Sequence, residues 1–528
     1  MDSGYPQTLP DVFARAFRKF ADRTALADGV ESVTFGDLDD RSARFATALA
    51  DRGVDVGDRV GVLLPNEVLF PTVDLGVIRA GATRLPVNPE HTATELTYLL
   101  EDSGARTLVC GPAQLDAVVE AARSVAALET VVVAGDEEVA SFPDADVEWH
   151  RYGEFLADVP DLTTVPTPGP DDVAGHFYTG GTTSRPKGVH YSQRCLVENL
   201  QAVVTEFGFS GTDVGLLVPP LSHSAGTFCY AALLAGGTVH LRTGFDAGSL
   251  LETVDDERVT WTFLVPTMIY RLLDATPDGL DHPSLERIIY GAAPMRVDRL
   301  REAIERFGPV FHQFYGQTEV PNLITSFPPR EHEVSFAAGD DDRLASAGTP
   351  CLRATVEIRD EETDDALPPG EVGEVVVAAP YVFDGYHERP AETRETLRDG
   401  WVYTGDVGVV DEDGYLTLLD RASDVIVTGG MNVYSQAVEQ VLRDHPAVDD
   451  AAVVGVPHEE WGEAVHAVVV TNDAVTIEEL RSSAGERLAS YKKPKSMTVV
   501  DSLPTTTLGK VDRSAVRERF WDDGDRSI

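Results

Sequence analysis

Short apolar runs that alternate with amphipathic stretches place the strongest constraint on the fold of this chain. Runs such as "RVGVLL" (59–64) and "TVVVAG" (130–135) are typical of buried strands, and intervening segments such as "DDRSARFATALADRG" (39–53) are typical of helices. This alternation predicts an α/β architecture with largely parallel sheets. After about residue 422 the pattern becomes a mixture of helices and short strands. Because 528 residues exceed what one compact core holds, we expect a domain at 1–422 and a smaller α+β domain at 423–528.

The charge of the chain restricts its partners and its setting. With 88 acidic and 43 basic residues the formal net charge is −45, which repels nucleic acid and anionic membranes. An acidic chain with so few lysines is typical of a protein that works in very high salt, although a merely acidic cytosolic protein is the alternative. The lysines are at positions 19, 187, 492, 493, 495 and 510.

Other sequence features favour a cytoplasmic protein. No apolar run is long enough to cross a bilayer, and the N-terminus has no secretory signal. The four cysteines are scattered without paired spacing, so neither a disulfide framework nor a cysteine zinc site is indicated.

One loop, "YTGGTTSRPKGV" (178–189), has the composition of a phosphate-binding segment. It combines glycines, small hydroxyls and a lysine, which together can surround an anion. It is not the common P-loop, because Lys187 is not followed by Ser or Thr. The loop lies between the strand-like "DVAGHFY" and the helix-like "SQRCLVENLQAVVTEF" (192–207), which is where anion-binding loops occur in α/β folds.

Six further segments follow this loop in a fixed order. They are "VPPLSHSAG" (218–226), "YGAAPM" (290–295), "YGQTE" (315–319), "YTGD" (403–406), "DRASDVIVTGGMNVY" (420–434) and "PTTTLGKVDR" (504–513). Together with the loop they resemble the adenylate-forming superfamily, which contains acyl-CoA synthetases, firefly luciferases and the adenylation domains of peptide synthetases. The resemblance spans nearly the whole chain.

The resemblance implies a fold and a reaction. The expected fold is a large N-terminal α/β domain, with layered sheets and helices plus a distorted β-barrel, and a small α+β C-terminal domain that rotates. The expected reaction joins a carboxylic acid to ATP, giving an acyl adenylate and pyrophosphate. The thiol of coenzyme A then gives a thioester and AMP. The implied cofactors and substrates are ATP, Mg²⁺ and coenzyme A, and a homodimer is a further hypothesis.

The resemblance also assigns residues to the nucleotide. The residues expected to contact the phosphates are Thr179, Gly180, Gly181, Thr182, Thr183 and Lys187. Thr179 and Glu319 are expected to bind magnesium. The adenine is assigned to Ala292, Ala293 and Pro294 and to Tyr315 and Gly316, with Gln317 and Thr318 in the same motif. The ribose is assigned to Asp406, Leu418 and Arg421. Taken singly, the loop could be an ordinary surface turn, Glu319 a surface glutamate and Asp406 a turn cap.

Catalytic roles fall on two residues. Lys510 is expected to contact the attacking carboxylate and the α-phosphate, and its retention in a lysine-poor chain supports a specific role. His223 lies where relatives have a residue near the acyl carbonyl, although a lone histidine is more often structural. Gly429 and Gly430 are expected beside the route of the coenzyme A thiol.

Several departures and alternatives remain open. Ser184 stands where the family usually has Gly, and Gln193 stands where it often has His. Ser423 stands at the hinge between domains, where the family commonly has Asp or Lys. A nucleotide-binding homologue without turnover and a luciferase-like second step are rival interpretations. The apolar segment 224–235 with Trp261, Val265, Pro266 and Thr267 suits a medium- or long-chain fatty acid, or an aromatic acid, unless these residues are simply core.

Overall fold

The computed structural model describes residues 6–135, 147–157, 165–179, 185–276, 282–458, 460–472, 475–505 and 511–520. The helices are α1 (Leu9–Phe20), α2 (Phe35–Asp51), α3 (Leu69–Arg79), α4 (Ala93–Ser103), α5 (Leu115–Ala122), α6 (Tyr152–Ala157), α7 (Gln193–Glu206), α8 (Ser224–Ala235), α9 (Ala247–Asp256), α10 (Pro266–Ala275), α11 (Val297–Phe307), α12 (Pro329–Ala338), α13 (Asp341–Leu344), α14 (Pro390–Thr396), α15 (Ser435–Arg443), α16 (Ile477–Arg487) and α17 (Arg513–Arg517).

The strands are β1 (Thr24–Ala27), β2 (Ser32–Thr34), β3 (Arg59–Leu63), β4 (Thr83–Pro86), β5 (Thr107–Cys110), β6 (Thr130–Val133), β7 (Glu148–Arg151), β8 (Val173–Tyr178), β9 (Gly188–Ser192), β10 (Val214–Leu217), β11 (Thr238–Leu241), β12 (Trp261–Leu264), β13 (Arg287–Gly291), β14 (Phe311–Tyr315), β15 (Thr325–Phe327), β16 (Thr349–Pro350), β17 (Thr355–Arg359), β18 (Val372–Ala378), β19 (Gly385–Tyr386), β20 (Leu397–Arg398), β21 (Trp401–Val410), β22 (Leu416–Arg421), β23 (Ile426–Thr428), β24 (Met431–Val433), β25 (Val448–His458), β26 (Gly462–Thr471) and β27 (Ser496–Val500).

Two large sheets form the framework of the N-terminal part. One has the order β16-β15-β14-β13-β12-β10-β11-β1-β2 and the other β19-β9-β8-β4-β3-β5-β6-β7. Their central strands are parallel. Antiparallel strands occupy both edges of the first sheet and one edge of the second, whose other edge strand, β7, is parallel to β6. The predicted α/β architecture with largely parallel sheets is confirmed.

The helices of this part begin at polar caps and bury one face. Thr34 starts α2 and Thr92 starts α4, each with its N3 carboxylate in a reciprocal capping box. A cluster of aliphatic side chains from α4 and α5 packs with those of β5 and β6. Burial of these apolar faces, more than helix propensity, stabilises the layers.

The register of the first sheet brings together the strand ends that carry several motifs. β10, β12, β13 and β14 are neighbours and parallel, with Leu264 opposite Tyr290 and Gly291 opposite Phe314. The segments that leave these strands therefore start at one edge of one sheet, which is where ligands bind in open α/β sheets.

The C-terminal part is a smaller α+β assembly, as predicted. Its sheet has the order β24-β23-β26-β25, with β27 parallel to β26. Alternate residues of β25 enter two apolar clusters, one with Ala451 and Val453 and the other with Ala452 and Val454. Both faces of this strand are buried, which explains its nearly continuous apolar sequence. Strands β17, β18, β20, β21 and β22 make a separate five-stranded sheet.

The chain forms two compact units. The first comprises most of the chain up to Val356 together with Val377–Val402, and the second comprises Glu357–Val376 and the chain from Tyr403 onward. The boundary at 422 stays a prediction. Within the described ranges no helix combines the length and apolarity needed to span a bilayer, and the four cysteines are buried without a disulfide.

Candidate active site

The glycine- and threonine-rich loop is carried by a β-hairpin. β8 pairs antiparallel with β9 so that Tyr178 lies opposite Gly188. Beyond that pair, the backbone N–H of Thr179 donates to the carbonyl of Lys187 and the N–H of Lys187 donates to Oγ1 of Thr179, both at 3.0 Å. Thr179 and Lys187 thus close the stem. Gly180, Gly181, Thr182, Thr183 and Ser184 lie outside the described residues.

The helix predicted at 192–207 is confirmed as α7, but an unpredicted strand lies between it and the loop. Residues 188–192 form β9, which pairs with β8 and with β19, and α7 begins only at Gln193. Val189 and Tyr191 favour a strand, and pairing on both sides secures it. Strand β9 therefore separates the stem of the loop from the N-terminus of α7.

Lys187 is held beside an acid and an aromatic ring. Its Nζ lies 2.6 Å from Oε2 of Glu392 and 4.9 Å from the ring centroid of Tyr386. The side chain is about one third exposed, so the ion pair is screened and exchangeable. An incoming phosphate can replace Glu392 as the partner of this cation.

Glu319 is held by the same tyrosine. The Tyr386 hydroxyl donates to Oε1 of Glu319 at 2.6 Å, a charge-assisted hydrogen bond. Burial and then the Glu319 carboxylate raise the pKa of Tyr386, so the phenol remains a donor at working pH. Tyr191 fixes the same segment, because its hydroxyl donates to the carbonyl of Thr318. One tyrosine therefore connects the lysine of the loop stem to the predicted magnesium ligand.

The two segments assigned to adenine leave adjacent strand ends. Ala292 follows β13 with a φ of 64°, and Tyr315 ends β14. Gly316 cannot carry a side chain, because a Cβ there would lie 2.6 Å from the Asn322 backbone. The remaining residues, Ala293, Pro294, Gln317 and Thr318, continue from these strand ends. The structure thus brings the two sequence-distant segments to one edge.

His223 begins α8 just beyond β10. It is half-buried, with its backbone N–H donating to the Pro220 carbonyl at 3.2 Å. The following helix is almost wholly buried. Trp261 belongs to the core, since it has no exposed surface, lies at the start of β12 and packs 4.7 Å from the Phe209 ring. The expected pocket role of Trp261 is therefore wrong.

The residues assigned to ribose meet on a β-hairpin of the second unit. Asp406 on β21 lies opposite Arg421 on β22, and Oδ1 of Asp406 is 2.6 Å from Nε of Arg421. Asp406 is only 6% exposed, whereas about half of the Arg421 side chain is exposed. Leu418 lies on the same strand, opposite Gly408. The ion pair orients the carboxylate that the sequence assigns to the ribose hydroxyls.

Gly429 and Gly430 form the turn between β23 and β24. Their φ values of 57° and 78° place both in the left-handed region, as a two-residue hairpin turn requires. A Cβ at Gly430 would meet no atom within 4 Å, so backbone conformation and not crowding demands the glycine. Their role beside the coenzyme A thiol stays a prediction.

The segment expected to contain the hinge is tied to helix α17. Arg517 on α17 lies 2.5 Å from Asp424, which is buried next to Ser423. Burial raises the pKa of Asp420 to about 6 although Arg513 opposes it. Lys510 lies outside the described residues. Its described flanks, Thr505 and Val511, pair through an isolated antiparallel bridge.

Sequence reasoning missed Tyr386 and Glu392. Both lie about 200 residues beyond the loop, in "GYHERPAET", which matches none of the motifs that point to the nucleotide site. These two residues reach the loop stem because β19 pairs with β9, and this long-range pairing leaves no local pattern in the sequence.

The comparisons with known proteins bear on all of these segments. The AMP-binding enzyme model matches residues 13–387, and the AMP-binding enzyme C-terminal domain model matches residues 437–510. The chain belongs to the AMP-binding enzyme family. It is thus a member of the adenylate-forming superfamily, as the sequence motifs indicated.

Individual relatives place the enzyme within this family. The chain is 36% identical to the medium/long-chain-fatty-acid–CoA ligase FadD8 of Mycobacterium tuberculosis, covering 97% of this chain and 90% of the relative. It is 38% identical to the feruloyl-CoA synthase of an Amycolatopsis species, covering 94% and 96%. The crystal structure of ATP-bound MatB from Rhodopseudomonas palustris is similar with a TM-score of 0.85 and 32% identity, covering 97% and 99%. The AMP-binding enzyme is therefore an AMP-forming acid–thiol ligase of the acyl-CoA synthetase class, which uses ATP and coenzyme A.

Proposed function

We propose that the enzyme activates a medium- or long-chain fatty acid as its acyl adenylate and transfers the acyl group to coenzyme A. The observation that carries the proposal is the connected set of Lys187, Tyr386 and Glu319 at the stem of the loop. A cation for the outer phosphates and a hard oxygen ligand for Mg²⁺ are what in-line attack on the α-phosphate needs. On a chain of net charge −45, such local positive charge is essential for two anions to meet.

Each residue then has a defined task. Lys187 exchanges Glu392 for the pyrophosphate side of ATP. Glu319, oriented by Tyr386, and Thr179 supply oxygen ligands that fit Mg²⁺, which when bound neutralises phosphate charge. Asp406 accepts from the ribose hydroxyls, and Lys510 stabilises the charge that develops between carboxylate and α-phosphate. His223 borders the acyl carbonyl.

The fatty-acid assignment draws on the fatty-acid ligase of M. tuberculosis and on the small side chains of α8, among them Ala225 and Gly226. An aromatic acid is the second candidate, because the feruloyl-CoA synthase is equally similar. The assay is formation of coenzyme A thioester and AMP, followed by mass spectrometry, across acids of graded length and aromaticity in multimolar KCl. A preference for decanoate to palmitate supports the proposal, and a preference for cinnamates or benzoates replaces it with the second candidate.

We propose that coenzyme A is bound by the C-terminal part. Lys492, Lys493 and Lys495 follow α16, and Nζ of Lys495 lies 4.8 Å from the ring centroid of Trp461. Replacing the three lysines with serine should raise the KM for coenzyme A far more than the KM for ATP, and equal changes would refute this assignment. We also propose that the enzyme is cytoplasmic and adapted to high salt, which its acidic, lysine-poor composition supports.

A further inference from the structure

Three histidines meet beneath the loop stem. His176 on β8 and His190 on β9 are directly opposed in the hairpin. His387 follows β19, and its backbone N–H donates to the Gly188 carbonyl at 2.8 Å. The residues come from two paired strands and from the segment after a third strand of the same sheet, so the fold and not sequence proximity assembles them.

The geometry of their ring nitrogens resembles a metal site. One ring nitrogen from each histidine can be chosen so that all three lie within 4.8 Å of one another. Nε2 of His190 is 3.3 Å from Nδ1 of His176. Two imidazoles on one tetrahedral ion, with bonds of about 2.05 Å, place their nitrogens about 3.3 Å apart. Closing the widest separation requires about 1.5 Å of movement, which the half-buried His190 and His387 can provide by side-chain rotation.

His176 is buried without an ordinary polar partner. It has no exposed surface, its Nε2 lacks a hydrogen-bond partner in the described parts of the chain, and the other nitrogen faces only His190. Gly188 leaves room for the ring, because any Cβ there would collide with Nε2 of His176. An ion shared by Nδ1 of His176 and Nε2 of His190 would give both nitrogens a strong polar partner, which a buried imidazole otherwise lacks here.

The protonation state suits ligation. Burial, then the neighbouring histidines, lower the pKa of His176 to about 2. Burial and then His387 lower the pKa of His190 to about 4, and Arg59 lowers both pKa values further. Neutral imidazole is the form that binds metal ions. Arg59 also opposes an incoming cation, which limits the affinity of the site.

An aromatic cluster is the competing interpretation. The three ring centroids are 4.8 to 5.0 Å apart, and Tyr178 stacks on His176 at 5.1 Å. Packing alone would be served as well by Phe or Leu, which bury no unpaired nitrogen. The three imidazoles need an explanation that packing does not supply.

We propose that His176, His190 and His387 bind one divalent transition-metal ion of the imidazole-preferring type, with Zn²⁺ as the physiological candidate. The set of three nitrogen donors does not suit Mg²⁺, which prefers oxygen, so this site is separate from the one proposed at Glu319. A bound ion would join β8, β9 and the segment after β19, and would thereby stabilise the stem that carries Thr179 and Lys187.

The test uses the untagged, full-length protein after chelator treatment and dialysis. Co²⁺ is titrated in excess Mg²⁺, which occupies carboxylate sites, and the visible absorption of tetrahedral Co²⁺ is recorded before Zn²⁺ is added as competitor. We expect one equivalent of Co²⁺, displacement by one equivalent of Zn²⁺, and a rise in the melting temperature with Zn²⁺. Zinc per chain is counted by elemental mass spectrometry.

His387→Gln and His190→Gln remove one ligand each, and His445→Gln is the control because His445 is also half-buried but lies on the C-terminal part. Each ligand variant should weaken Co²⁺ binding by at least about 100-fold, and the control should bind as the wild type does. Absence of the tetrahedral band in the wild type overturns the proposal even if a variant fails to fold. Equal binding by wild type and His387→Gln also overturns it.

Discussion

Removing the hydroxyl of Tyr386 tests the predicted site most sharply among single-atom changes. Tyr386→Phe deletes the donor 2.6 Å from Oε1 of Glu319 and retains the ring beside Lys187. A hydrogen bond to a charged group contributes about 1.5–3 kcal/mol. If that energy orients Glu319 for Mg²⁺–ATP, kcat/KM for ATP should fall by about 10- to 100-fold, since each 1.4 kcal/mol is about a factor of ten.

The assay is carboxylate-dependent exchange of labelled pyrophosphate into ATP, at several Mg²⁺ concentrations. The Mg²⁺ concentration for half-maximal exchange should rise in Tyr386→Phe. Tyr386→Leu also removes the ring from Lys187, so it should additionally raise the KM for ATP. These two variants separate the hydroxyl from the ring.

Tyr381→Phe is the matched control. The Tyr381 hydroxyl is buried and donates to the Leu323 carbonyl at 2.9 Å, so its loss should lower stability without changing the Mg²⁺ dependence. Identical exchange kinetics in Tyr386→Phe and the wild type would refute the coupling of Tyr386 to Glu319.

Four other variants probe the remaining assignments. Glu392→Gln should lower the KM for ATP about two- to fivefold, because it removes a screened competitor for Lys187; an increased KM would contradict this. Asp406→Asn should raise the KM for ATP by about tenfold or more, since a charged acceptor is lost, whereas an unchanged KM would remove Asp406 from the ribose site. Lys510→Ala should abolish pyrophosphate exchange while thioester formation from a supplied acyl adenylate persists, and loss of both half-reactions would contradict its assignment to the first. In the folded protein the pKa of Asp420 is raised from 3.8 to about 6, so the stability of the wild type falls as the pH rises from 4 to 6. Asp420→Asn has no such group to ionise, so its unfolding free energy should rise relative to that of the wild type by up to about 3 kcal/mol across this range. A difference in denaturant midpoint that does not change with pH would contradict the raised pKa of Asp420.

The sequence predicted the α/β class because apolar runs of strand length alternate with amphipathic helices, a pattern set by local burial. It also singled out Thr179, Lys187 and Glu319 as candidate site residues, since these lie in motifs that are contiguous along the chain. It failed where long-range pairing decides the outcome. Whether 188–192 forms a strand depends on β8 and β19, and the meeting of Tyr386 with Glu319 depends on the same sheet edge.

Side-chain burial accounts for the remaining differences. Trp261 is apolar and close in sequence to Val265, yet its position at the start of β12 places it in the core, away from the strand end. Gly429 and Gly430 are expected beside the coenzyme A thiol, and the positive φ of their tight turn favours glycine at both positions independently of that role. The histidine cluster could not be foreseen, because its members lie 14 and 197 residues apart along the chain.

The central claim is that a carboxylate oxygen of the acid attacks the α-phosphate of ATP, which forms an acyl adenylate before the thiol of coenzyme A attacks. Incubation of the enzyme with ATP, coenzyme A and a fatty acid labelled with oxygen-18 in its carboxylate tests it directly. Mass spectrometry should find one labelled oxygen in each AMP and the acyl chain in the coenzyme A thioester. Unlabelled AMP, or label in inorganic phosphate with ADP as the nucleotide product, would contradict the account.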